Sequence, residues 1–184
     1  MERDFSSALI APATPTIIGV PMRPFSLGHR LMLEECDSSF VRGEFPTYAD
    51  LVAGAFVCAH TWSENQMLLR SPFRRWLRLR TWGLFAGKFD VPTALLAFHA
   101  YVRDGAEFPE VVNRPGETKP LAMPHSARLY LFLRGHGFSE AEAMDMPLRA
   151  ANVLYCAGAE QDGRLELVTD TFKEMVRRSQ GVTR

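Results

Sequence analysis

Apolar side chains return every three or four positions through most of this chain. Where that rhythm stops, a serine, threonine, proline or glycine usually stands at the break. Leu27, Leu31, Met32 and Leu33 cover most of a first predicted helix from Ser26, its cap, to about Glu35. Arg30 and Glu34, four apart, form its narrow polar stripe. Tyr48, Leu51, Val52, Ala55, Phe56, Ala59 and Trp62 predict a second helix that starts after Pro46, with Thr47 as cap and Asp50 in its first turn, and continues past Trp62. Its small residues Ala49, Ala53, Gly54 and Ala55 let another helix come close.

Ser71-Pro72 interrupts the chain and opens a third helix, to about Phe85. Asp90 caps a fourth, with Pro92 in the first turn and Ala94, Leu95, Phe98 and Val102 facing inward. Residues 108–123 carry Pro109, Pro115, Gly116 and Pro120 and read as a loop. Pro124 starts a fifth helix that Gly135-His136-Gly137 ends. Ser139 and Glu142 have capping-box spacing, and Pro147 reopens a helix that runs to about Gln161 and stops at Gly163. A short strand at 164–168 and a helix at 170–178 close the series.

Ahead of the first helix, Pro12, Pro15, Pro21 and Pro24 exclude helix and predict an extended arm over residues 1–25. In it Ile17, Ile18 and Val20 are suited to a short strand. The expected fold is therefore mainly α, a single-domain bundle of six to eight helices over residues 26–178. It carries the arm, at most a short β element near 164–168, and a disordered tail at 179–184.

Composition narrows the function classes. A chain of 184 residues can bury one substantial core. Lys plus Arg and Asp plus Glu both number 21, so no chain-wide field recruits nucleic acid or an anionic membrane. No apolar run approaches the ~18 residues of a membrane span. The patch Ala8-Leu9-Ile10-Ala11 is cut by Pro12 and Pro15, so no signal peptide is read. Cys36, Cys58 and Cys156 are odd in number and far apart, which fits a reducing compartment and no disulfide framework. The expectation is a cytoplasmic protein without a membrane partner.

Candidate chemistry is sparse. His60 and Glu64 stand four apart on the predicted second helix, a spacing that can share a metal, but His29, His99, His125 and His136 lie in separate segments and no H-E-x-x-H or C-x-x-C pattern occurs. His29, between Met32 and Leu33, reads as core-facing. Cys58 and His60 are two apart and would point in different directions on a helix. Neither a G-x-S-x-G elbow nor a phosphate loop is present. No catalytic residue, metal or cofactor is assigned, and a non-enzymatic role is expected. An enzyme of unrecognised chemistry is the alternative.

One local bias stands out. Arg70, Arg74, Arg75, Arg78 and Arg80 are interleaved with Phe73, Trp76 and Trp82. Arginine among aromatics suits a protein interface. It also suits phosphate contact and base stacking, so nucleic-acid binding by the 70–80 segment is a second reading. The bland reading is a solvated helix face with core tryptophans. The residues expected to carry a protein partner are Ile17, Ile18 and Val20 of the arm with Arg70, Phe73, Arg74, Arg75, Trp76 and Arg78. The Ser139–Gly163 region is expected to be scaffold.

Two stretches resemble proteins of phage and prophage tail modules of the tail assembly chaperone type. Met22-Arg23-Pro24-Phe25-Ser26-Leu27-Gly28-His29, followed later by Tyr48-Ala49-Asp50-Leu51, looks like the opening that precedes a helix in such proteins. Gly137-Phe138-Ser139-Glu140-Ala141-Glu142-Ala143-Met144-Asp145-Met146-Pro147-Leu148 is similar to a turn near their C-termini. The resemblance implies binding: covering the aggregation-prone surface of a long tail protein until assembly. It implies no catalytic residue.

Overall fold

The computed structural model describes residues 14–71, 89–113, 123–163 and 165–167. The helices expected at 72–85 and 170–178, the first half of the arm and the 179–184 tail lie outside the described residues. The fold is mainly α. In chain order its helices are α1 (Leu27–Glu35), α2 (Ser39–Arg42), α3 (Tyr48–Cys58), α4 (Trp62–Arg70), α5 (Val91–Gly105), α6 (His125–Gly135), α7 (Glu140–Asp145) and α8 (Leu148–Gln161). Two antiparallel strand pairs accompany them: β1 (Thr16–Ile17) with β2 (Val20–Pro21), and β3 (Val111–Asn113) with β4 (Leu165–Leu167).

Local side-chain bonds set most helix starts. The hydroxyls of Ser26, Thr47, Thr61 and Ser139 accept the N–H of His29, Asp50, Glu64 and Glu142. Each of those residues returns its side chain to the cap's own N–H. Asp90 caps α5, with Pro92 in its first turn.

The continuous helix expected from Thr47 past Trp62 is in fact two. α3 ends at Cys58 and α4 begins at Trp62. Thr61 and Glu64 form their own capping box, and the carbonyls released at the break find partners. Asn65 Nδ2 donates to the C=O of Val57 at 2.9 Å, and His29 Nε2 donates to that of His60 at 2.8 Å. The apolar rhythm survives the break because each helix buries its share of the same face, so periodicity alone reads straight through.

β3 lies in the stretch expected to be loop. Val111 and Val112 pair there with Leu167 and Glu166 of the expected C-terminal strand. The described part of the arm, 14–25, folds onto the helices. β1 and β2 make a hairpin with a two-residue turn, Ile18 (φ 49°) and Gly19 (φ 76°). Positive φ at both positions gives a turn whose twist matches paired strands, and it is rare for a β-branched residue such as Ile18.

The core runs through Phe25, Leu27, Leu33, Leu51, Phe98, Leu129 and Leu133, all essentially without solvent exposure. At the α3–α5 crossing Gly54 lies directly against the Phe98 ring. A short bridge ties distant parts together: Leu27 N–H donates to Met146 C=O at 3.0 Å, and Leu148 N–H to Phe25 C=O at 2.8 Å. Among the described residues no helix is long and apolar enough to cross a membrane.

Candidate interaction surface

The arm residues expected to meet a partner are largely used by the chain itself. Ile17 is 2% exposed and belongs to the core, and Ile18 and Val20 are half-buried against it. The strand-forming residues close a hairpin with each other, and the apolar face of that hairpin is satisfied by α5. Beside it, a groove of about 260 Å³ is lined by Thr14, Pro15, Phe25, Ala97, Tyr101 and Asp104. Arg23 N–H donates to Cys58 C=O, and the Tyr101 hydroxyl donates to Arg23 C=O at 2.7 Å, so the segment is held from both sides. Of the basic–aromatic segment, Arg70 is exposed at the last turn of α4. Phe73, Arg74, Arg75, Trp76 and Arg78 lie outside the described residues.

A surface feature that periodicity did not identify appears at the N-terminus of α3. Phe45 is 97% exposed, two residues before the Thr47 cap. Tyr48 in the first turn is also exposed, and its ring stacks on Phe89 at 6.4 Å and 17°. Phe89 is the residue at which the described chain resumes after Ser71. The sequence did hold a signal: Gly43-Glu44-Phe45-Pro46 puts a phenylalanine in an otherwise polar inter-helix turn.

The residues best suited to chemistry have architectural work. His29 is buried, and its partners fix its tautomer: Ser26 N–H can only donate, at 3.2 Å to Nδ1, and His60 C=O can only accept, at 2.8 Å from Nε2. The ring is therefore neutral. Burial holds its pKa below the usual imidazole value, against the raising effects of the His60 carbonyl and Asp145. His60 Nδ1 donates to Phe56 C=O, and Glu64 sits across the α3–α4 break at the Thr61 cap, so the two do not share a helix as their spacing suggested. Burial pushes the Cys58 thiol up to about 12, and also raises the Tyr101 hydroxyl. His125 donates to Asn152 Oδ1 at 3.1 Å, while Asn152 Nδ2 donates to Glu107 C=O, joining α6 to α8 and to the chain after α5. Among the described residues no three of His, Cys, Asp and Glu converge as a metal site.

The chain matches no family model, and no curated protein or solved structure is similar to it.

Proposed function

We propose that the chain is a non-enzymatic assembly protein of the phage-tail module type, which holds another tail protein through an aromatic and basic surface. Phe45 and Tyr48 supply exposed aromatic side chains for that contact, and the composition of residues 70–80 supplies its arginines. The observation that carries the reading is Phe45, left 97% exposed on a chain with ample core. Burying a phenylalanine contributes about 1.5–3 kcal/mol, which Phe45, with the exposed Tyr48 three residues on, can offer to a partner. Arginine and aromatic side chains together form the composition of interface anchors, and residues 70–80 hold five arginines with Phe73 and Trp76 among them. On this reading the protein acts in the host cytoplasm, shielding its partner until it is built into the particle.

The test is co-expression with a phage tail-tube or tape-measure protein, followed by co-elution in size exclusion. The native chain is expected to keep that protein soluble and to co-elute with it. Phe45→Ser combined with Arg74→Ser and Arg78→Ser should abolish co-elution while leaving the circular dichroism spectrum unchanged. Co-elution that survives in the folded variant places the contact elsewhere. Retention on DNA or RNA that falls steeply with salt and is lost in the same variant replaces the proposal with nucleic-acid binding.

A further inference from the structure

We propose that His29 is an acid-sensitive latch. It holds the N-terminal segment, the α3–α4 turn and the α7–α8 junction together at neutral pH, and releases that seam ahead of the rest of the fold when it takes up a proton.

The geometry is specific to this histidine. His29 occupies the third position of α1, where glutamate or glutamine ordinarily completes a capping box. Its Nδ1 lone pair receives the Ser26 N–H at 3.2 Å. Ser26 is also the point of the bridge to Pro147, flanked by the Leu27-to-Met146 and Leu148-to-Phe25 hydrogen bonds. On the far side of the ring, Nε2 donates to the His60 carbonyl, which Asn65 Nδ2 approaches at 3.4 Å. One neutral imidazole thus touches both the cap that leads into the bridge and the turn that separates α3 from α4.

Protonation at Nδ1 replaces the lone pair with a second N–H facing the Ser26 N–H. The acceptor is lost, and a buried donor is left opposite another donor. The charged groups facing the ring from the elements around it act in opposite senses. Asp145, at the end of α7, favours the proton; Arg23 and His60 oppose it. Glu64, on α4, is engaged by the Thr61 cap and by Arg23 at 3.5 Å. Burial is the largest influence and keeps the closed form neutral. The open seam, with His29 returned toward water, binds protons more readily than the closed one. Opening is therefore favoured as pH falls below the ordinary imidazole value of 6.5, and levels off below the closed-state value.

Hydrogen exchange of the full chain, read by nuclear magnetic resonance between pH 5 and 7.5 and corrected for intrinsic rates, tests this. Protection of the Leu27 and Leu148 amides should fall by up to about tenfold per pH unit below 6.5. The Leu129 and Leu133 amides of α6 should hold. His29→Gln restores the usual capping-box residue without a titrating ring, and should keep Leu27 and Leu148 protected across the range. The proposal is overturned if all four amides lose protection together, if seam protection is flat with pH, or if His29→Gln shows the native slope. Should that variant not fold, the native chain decides alone: the loss of Leu27 protection must begin above the pH at which the His29 ring itself titrates and level off where it does, and titration without a preceding loss refutes the latch.

Discussion

Replacing Gly54 with alanine is expected to destabilise the fold even though alanine is the better helix former. A Cβ at Gly54 would lie 2.7 Å from Cζ and 2.8 Å from Cε1 of Phe98. Ordinary contact begins near 3.4 Å, so the gap is short by about 0.7 Å. The ring has little room to retreat. It is fully buried, meets Phe40 edge-on at 4.6 Å and lies against Tyr101 at 5.6 Å. Alanine gains about 1 kcal/mol in helix propensity. Overpacking a filled core costs about 1–3 kcal/mol, and an overlap this deep with an immobile ring belongs in the upper half of that range. The net loss is about 1–2 kcal/mol, or about 2–8 °C in Tm for a chain of this size. Thermal and urea unfolding followed by circular dichroism would read it. The Phe98→Leu background makes the test specific, because the smaller side chain gives the new methyl room. Gly54→Ala should cost less there by about 1 kcal/mol. Equal cost in both backgrounds, or a Gly54→Ala protein as stable as the native one, would show that α3 and α5 do not meet through this glycine.

Two further outcomes follow from the structure. Thr61→Ala removes the hydroxyl that accepts the Glu64 N–H and should lower stability by about 1 kcal/mol, seen as a lower urea midpoint; an unchanged midpoint would mean that α4 is not capped in this way. In native protein at pH 8 a thiol reagent should label Cys36, which is exposed, well before the others. Cys58, pushed up to about 12, and Cys156, pushed up to about 11, are fully buried and should react only on unfolding. Rapid labelling of Cys58, located by peptide mass spectrometry, would contradict its placement.

What the sequence disclosed and what it hid divide along the range of the interactions. Ser26, Thr47, Asp90 and Ser139 were readable as helix starts because each bonds within three residues of itself. The α3–α4 break had a local signal as well, since Thr61-Trp62-Ser63-Glu64 has capping-box spacing, but the longer apolar rhythm through Trp62 outweighed it. The core-facing reading of His29 followed from Met32 and Leu33 beside it, whereas its bond to His60 needed the turn of another helix. β3 was illegible because its partner, Leu165–Leu167, lies far along the chain and the Val111-Val112 pair sits among prolines. The arm's prolines excluded helix correctly, yet whether Ile17 faced its own core or a partner depended on where α5 lay. The exposure of Phe45 is likewise set by its surroundings in space.

The bridge between Ser26 and Pro147 also bears on how the chain is made. The backbone groups of Phe25 and Leu27 find their partners at Leu148 and Met146, so synthesis must proceed across most of the chain before those bonds can close. At ribosomal rates of about 5–20 residues per second, the first helix waits on the order of 6–25 s for the strand of chain that completes it. During that interval Phe25 and Leu27, which the finished fold removes from water, have no Met146–Leu148 segment to cover them. The two halves are consequently not modules that can be cut apart and expressed separately. A fragment ending before Met146 lacks the partners of its own first helix, and one beginning after Ser26 cannot seat the start of α8.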